Sequence, residues 1–86
     1  MNIMQVSKMK QDLTPEQQQE FGAVMERFYA SPPTDLKITG DYVTVDQSRS
    51  FTLMEVSSIE RLSEINKPFA PYVEYEVFEI QPVSHQ

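Results

Sequence analysis

Residues 36–56 read LKITGDYVTVDQSRSFTLMEV and contain two candidate strands joined by a short polar turn. The segments 36–45 and 49–56 are rich in β-branched and aromatic residues, which favour strands. Between them, Asp46-Gln47-Ser48 has the length and polarity of a hairpin turn. The stretch therefore predicts two consecutive antiparallel strands in the middle of the chain.

A helix is expected on each side of this hairpin. Upstream, Thr14-Pro15-Glu16-Gln17 supplies a hydroxyl N-cap, a proline at the first helical position and a glutamine that reaches back to the cap. That helix should cover 15–29 and end at Ser31-Pro32-Pro33. Downstream, Ser57-Ser58-Ile59-Glu60 resembles a second capping box, and Lys67-Pro68 should close the second helix.

One further strand is predicted near each end of the chain, over 3–9 and 72–83. The adjacent Val77 and Phe78 mark either a bulge or a strand that is apolar on both faces. The resulting order predicts an α+β, ferredoxin-like βαββαβ fold, in which two helices cover one face of a four-stranded antiparallel sheet. We expect a single domain over 1–86, with 83–86 as a tail.

The sheet is expected to be apolar on the face that no helix covers. Phe51 and Leu53 should point away from Met54 and Val56, so both faces of their strand carry apolar side chains. Covering roughly 800 Å² of such surface is worth on the order of 20 kcal/mol before association costs. A chain of this length is itself stabilised by only about 4–13 kcal/mol. We therefore expect a homodimer formed through the sheet face.

The composition excludes several functional classes. The 86 residues include no cysteine, so disulfides, thiol nucleophiles and cysteine metal sites are ruled out. A net charge of −6 disfavours nucleic acid and anionic membranes as partners. Gly22 and Gly40 are too far apart to form a phosphate-binding loop. With neither a signal-peptide pattern nor a membrane span, the sequence predicts a cytoplasmic protein without metal or other cofactor.

Four residues are candidates for ligand binding. Arg49 could hold an anionic ligand at the mouth of a cleft between sheet and helices, or could pair with Asp46 or Asp41. The rings of Tyr42, Tyr72 and Tyr75 could orient a small molecule, or could pack in the core or a dimer interface; they complete the set of candidates.

The acidic and basic candidates for chemistry are few. Glu55 shares a strand face with Phe51 and Leu53 and is the candidate general base, unless the strand end turns it to solvent. Glu74 and Glu76 fit a charged edge strand better than a calcium or magnesium site. His85 lies in the tail, which argues against hydrolase chemistry.

The segments 35–43, 49–55 and 73–83 resemble an uncharacterised family of short bacterial proteins, a domain of unknown function in the dimeric α/β barrel superfamily. The most specific part is the Arg-x-Phe-x-Leu-Met-Glu run at 49–55. The resemblance implies a homodimeric ferredoxin-like fold, and the superfamily includes cofactor-independent monooxygenases, muconolactone isomerases and stress-responsive barrel proteins. Residues 67–71, Lys-Pro-Phe-Ala-Pro, stand where the resemblance leads us to expect tryptophans, so no indole-lined pocket is predicted.

The sequence thus predicts a cytoplasmic homodimer that binds a small apolar organic molecule between sheet and helices. Two alternatives stay open. The first is a cofactor-independent monooxygenase or isomerase, which needs a base close to the substrate. The second is a protein-assembly module whose pocket is filled core.

Overall fold

The computed structural model describes residues 1–84 and confirms the ferredoxin-like α+β fold. The four strands form one antiparallel sheet in the spatial order β2-β3-β1-β4. The elements are, in chain order, β1 (Asn2–Met9), α1 (Pro15–Ala30), β2 (Lys37–Val43), β3 (Ser50–Glu55), α2 (Ile59–Asn66) and β4 (Val73–Glu79).

The last strand is shorter than the predicted 72–83. Its partner β1 begins at Asn2, whose carbonyl accepts a final hydrogen bond of 2.9 Å from the Ile80 amide. Beyond this point no partner strand remains, and Pro82 has no amide hydrogen to donate. Both causes end the strand at the same place.

The helix α1 begins as the sequence predicts. The Thr14 hydroxyl accepts a bond of 3.2 Å from the Gln17 amide, and the Gln17 side chain accepts one of 2.9 Å from the Thr14 amide. Ser31 caps the other end and is followed by two prolines, which prevent continuation. None of the sixteen residues of α1 is fully buried.

The start of α2 differs by one residue from the prediction. Its N-cap is Ser58, whose hydroxyl accepts a bond of 3.0 Å from the Arg61 amide. The predicted Ser57–Glu60 box is therefore wrong, because the third helical residue is Arg61, which has no acceptor to return the bond. The Arg61 guanidinium instead binds both carboxylate oxygens of Asp35, at 2.6 and 3.1 Å.

Both helices pack on the same face of the sheet. The core combines sheet residues such as Ile3 and Met54 with Leu62 and Ile65 of α2, and Phe28 of α1 packs against it. Ile3 and Leu62 are 0 % and 1 % exposed, so the core lies between the sheet centre and α2. No helix within residues 1–84 is long and apolar enough to cross a membrane.

The opposite face of the sheet has no covering element among the described residues, and we call it the open face. The strand register places Met4, Val6, Phe51, Leu53, Phe78 and Tyr42 on it. Phe78 is 43 % exposed and Tyr42 62 % exposed. The open face is therefore apolar at its centre, as the alternation of Phe51 and Leu53 with Met54 predicts.

The sheet contains one irregularity, and it lies in β2. Ile38 pairs with Met54 and Gly40 pairs with Leu53, so Thr39 is an extra residue at a bulge. The pairing of Val77 with Gln5 and of Phe78 with Met4 is regular, so the adjacent apolar pair in β4 reflects two apolar faces and no bulge.

Candidate ligand-binding cavity

A cavity of about 700 Å³ lies between the sheet and the two helices. This volume is in the range of sites that hold small organic molecules, about 300–1,000 Å³. Its helix side is mostly apolar and includes Phe21, Met25 and Phe28 of α1, Leu62 of α2, and Phe69 in the turn after α2. Phe28 and Phe69 pack edge to face with ring centroids 5.4 Å apart, which closes one side.

The sheet side of the cavity combines apolar residues, such as Met9, Ile38 and Val73, with a group of polar ones. One row across the strands runs from Asp41 in β2 through Thr52 in β3 to Gln5 in β1. The next row brings Ser50 of β3 opposite Ser7 of β1. Exposure falls along the first row, from the exposed Asp41 to the buried Gln5. The prediction of an apolar helix-facing sheet surface therefore holds only for the part that forms the core.

The buried end of the first row is an amide pair, Gln5 with Asn66. The Asn66 Nδ2 donates to Gln5 Oε1 at 2.8 Å, and the Gln5 Nε2 donates to Asn66 Oδ1 at 3.3 Å. The Gln5 Nε2 also donates to the Ser7 hydroxyl at 3.5 Å. Gln5 is 9 % exposed and Asn66 5 % exposed, so the pair is held away from bulk water. These two residues, far apart in sequence, tie the end of α2 to the centre of the sheet.

The exposed end of the row carries the ionisable groups of the cavity. The Thr52 hydroxyl donates to Asp41 Oδ1 at 3.2 Å. Partial burial raises the pKa of the Tyr29 phenol, and the neighbouring Asp41 carboxylate raises it further. The Tyr29 phenol therefore stays protonated around neutral pH, with the Asp41 carboxylate beside it as an acceptor. Asp41 is the one carboxylate that lines this cavity within residues 1–84.

Two of the four predicted ligand-binding residues, Arg49 and Tyr42, border the cavity. Arg49 lies at the end of the hairpin, where its amide donates to the Thr44 hydroxyl at 3.1 Å. Within residues 1–84 no carboxylate lies within 4.0 Å of its guanidinium, so the ion pair with Asp46 or Asp41 does not form. Tyr42 borders the cavity from the edge strand and pairs with Phe51 on the open face.

The other two predicted residues, Tyr72 and Tyr75, do not line the cavity. Tyr72 lies just before β4, where its ring packs 5.7 Å from that of Phe21 and its hydroxyl donates to Glu20 at 3.2 Å. Desolvation raises its pKa, and the bond to Glu20 and the charge of that residue raise it further. Tyr75 is half-buried and lies opposite Ser7 in the neighbouring strand. The structure thus does not bring the predicted tyrosines together.

The acidic candidates lie on the side of the sheet away from the cavity. Glu55 pairs with Lys37 at 3.8 Å, and the Glu55 side chain is 49 % exposed. Glu74 and Glu76 share the open face of β4, which is an edge strand, and Glu74 lies 4.0 Å from Lys8. His85 lies outside the described residues.

Sequence reasoning missed Gln5, Asn66, Asp41 and Tyr29 as site residues. One signal was available for Gln5, which is an amide within the otherwise apolar stretch Ile3–Val6; Asn66 stands between Ile65 and Lys67 and carries no such signal. No comparable signal existed for Asp41, because the bulge at Thr39 decides which face it occupies.

The fold and the cavity define a small α+β protein of the ferredoxin-like type whose cavity, lined by both apolar and polar residues, lies on the helix side of its sheet. Residues 1–85 match a domain of unknown function, DUF3303, so the chain belongs to this family. No curated protein matches the chain.

Proposed function

We propose that this protein is a homodimeric binding protein that holds a small organic molecule in the cavity between its sheet and its helices. One observation carries the proposal: five polar side chains lie among the apolar residues of the sheet surface beneath the helices, where a closed fold would place only apolar core. Gln5, Ser7, Asp41, Ser50 and Thr52 line this surface around about 700 Å³ of space. A core that existed only for stability would bury apolar groups there.

The lining suits a molecule with an apolar body and at least one polar group. The aromatic rings of α1 and of the turn after α2 would cover the body, and the sheet would orient the polar group. Arg49 at the hairpin end adds a cation without a carboxylate partner within residues 1–84. The assembly-module alternative requires a filled core, which the open cavity argues against.

The homodimer is proposed from the open face. Six large apolar or aromatic side chains lie together there, a pattern more typical of an interface than of a surface exposed to water. Charges of both signs surround them, namely Lys8 and Lys37 with Glu55, Glu74 and Glu76. Both lysines pair with glutamates within one subunit, Lys8 with Glu74 and Lys37 with Glu55, so a two-fold copy can bring the same patch against itself without leaving these lysines unpaired.

The subunit is elongated and thin. Its radius of gyration is 13.9 Å, and its principal extents are 51 × 29 × 20 Å. A compact chain of this length has a radius of gyration of about 12 Å. Pairing two such subunits through the open face would make a thicker body with the sheets about 10 Å apart.

A thermal-shift screen tests ligand binding, with lipophilic acids, quinones and aromatic phenols as probes. A compound present at 100 times its dissociation constant adds about 2.7 kcal/mol, which raises the melting temperature by roughly 10 °C or more for a domain of this size. Ser50→Phe, which fills the cavity, should abolish the shift, and the exposed Ser57→Phe should preserve it. Absence of any shift in the wild type would favour the assembly module. Mass analysis after incubation in air then separates a binder from an enzyme.

Light scattering at micromolar concentration tests the dimer. The subunit mass is 10.0 kDa, so the expected mass is twice this value. Leu53→Glu places a charge in the centre of the open face and should yield the monomer, whereas Ala23→Glu on the exposed side of α1 should leave the dimer intact. A wild-type mass of 10.0 kDa would refute the dimer.

A further inference from the structure

The amide pair Gln5–Asn66 has unused hydrogen-bonding capacity. Each primary amide offers two N–H donors and a carbonyl oxygen with two lone pairs. The two mutual bonds, 2.8 and 3.3 Å long, close a ring that uses one N–H and one lone pair of each residue. On one edge of this ring the second N–H of Gln5 donates to Ser7 at 3.5 Å. The other edge consists of Gln5 Oε1 and Asn66 Nδ2, with one lone pair and one N–H still to use.

We propose that this free edge recognises a neutral ligand group in which a hydrogen-bond donor lies next to an acceptor, such as a lactam or a cis amide. The proposal deepens the function proposed above and rests on it. An N–H on the ligand would bind Gln5 Oε1, and a ligand carbonyl would accept from Asn66 Nδ2. Both residues line the cavity and both are more than nine-tenths buried, so water competes weakly for these atoms.

The charge of the surroundings favours a neutral group over a carboxylate. A carboxylate has two acceptors and no donor, so one of its oxygens would face Gln5 Oε1 without a hydrogen between them. Asp41 lies in the same row two strands away, about 10 Å at ordinary strand spacing, and repels an anion. Arg49, the one cationic residue that lines the cavity within residues 1–84, is exposed at the hairpin.

The donor and acceptor pattern does not depend on which end of each amide is oxygen. Exchanging oxygen and nitrogen in both side chains preserves the two mutual bonds and lets the Ser7 hydroxyl donate in place of accepting. The free edge then offers the Gln5 nitrogen as donor and the Asn66 oxygen as acceptor. One donor beside one acceptor results in either arrangement, and the ligand chemistry is the same.

Titration with 2-quinolinone, N-methyl-2-quinolinone and naphthalene, followed by amide NMR, tests the proposal on the full chain. The lactam should bind about tenfold more tightly than its N-methyl derivative, which lacks the donor, and should move the side-chain amide signals of Gln5 and Asn66. In the double variant Q5M/N66L, which leaves neither amide unpaired, the tenfold preference should vanish. The control Ala23→Ser, on the exposed side of α1 and outside the cavity lining, should retain it.

Each other outcome has a defined meaning. Equal affinity of the two quinolinones for the wild type, or a preference that survives in Q5M/N66L, overturns the proposal, since a steric effect of the methyl group would persist in the variant. Binding of naphthalene without any lactam preference also overturns it but leaves the cavity as a ligand site. Failure of all three probes to bind overturns it as well, and the thermal-shift screen then decides the proposed function separately.

Discussion

A double-mutant cycle on Gln5 and Asn66 should show that the two amides stabilise the fold only as a pair. Asn66→Leu removes the bonds of 2.8 and 3.3 Å and leaves Gln5 with Ser7 as its remaining partner, 3.5 Å away. Leaving a buried polar group unsatisfied costs about 1–3 kcal/mol, and each lost hydrogen bond costs about 1 kcal/mol. We expect a loss of about 2–3 kcal/mol in the free energy of unfolding.

Gln5→Met should cost a similar amount, because it leaves Asn66 without a partner in a site that is 5 % exposed. The double variant Q5M/N66L replaces both amides by apolar side chains beside the core residues Leu62 and Ile65, so no polar group is left unpaired. The double variant should lose about 2–3 kcal/mol in the free energy of unfolding, well below the sum of about 4–6 kcal/mol for the single variants. The coupling free energy is then about 2–3 kcal/mol.

Urea unfolding followed by far-ultraviolet circular dichroism measures all four proteins at one protein concentration, since a dimer makes the midpoint concentration-dependent. The largest expected loss, for Gln5→Met combined with Thr14→Ala, is about 3–4 kcal/mol, so a total in the middle or upper part of the range of about 4–13 kcal/mol keeps every variant folded without urea. As a control, Gln5→Met combined with Thr14→Ala, which share no partner, should add within about 0.5 kcal/mol. If the loss of unfolding free energy in Q5M/N66L equals the sum of the losses in Gln5→Met and Asn66→Leu within about 0.5 kcal/mol, the two amides do not act as a unit.

Three further substitutions test local features. Thr14→Ala removes the N-cap of α1 and should lower the free energy of unfolding by about 1 kcal/mol in urea titrations; an unchanged value contradicts the cap. Hydrogen bonds from Thr44, the larger cause, and from Ser48 lower the pKa of Asp46 from 3.8 to about 2. The ionised Asp46 therefore contributes its full stabilisation above pH 3.8, and this contribution is lost as the pH falls towards 2. NMR titration of Thr44→Val should show this pKa raised, and no rise would refute the assignment. Gln47 has a φ of 63°, a left-handed backbone conformation that glycine adopts without strain, so Gln47→Gly should raise the melting temperature. Gln18→Gly inside α1 should lower it. If both substitutions change the melting temperature in the same direction, the backbone of Gln47 is not strained.

The element order could be read from the sequence because its signals act over a few residues. The cap at Thr14, the prolines after α1 and the polar turn between β2 and β3 each determine structure within their own neighbourhood. These signals suffice for a ferredoxin-like order, and the structure has that order. The apolar open face followed from strict alternation in β3, which contains no bulge.

The site was less predictable because it depends on contacts between distant residues and on one bulge. Gln5 and Asn66 are separated by 61 positions, and nothing local to either indicates the other. With strict alternation from Ile38, Tyr42 would face the helices and Asp41 the open face. The extra residue Thr39 reverses this, so Asp41 faces the cavity and Tyr42 the open face.

The lack of complete burial along α1 has a consequence for how a molecule would enter. Segments with few buried apolar contacts open at lower free energy than the core they cover, and their backbone amides exchange with solvent sooner. The helix α1 forms one wall of the cavity, while the sheet and α2 hold the core. A local opening of α1 would therefore let a ligand enter while the sheet stays folded. The bound ligand would in turn slow the hydrogen exchange of the α1 backbone amides more than that of the other elements.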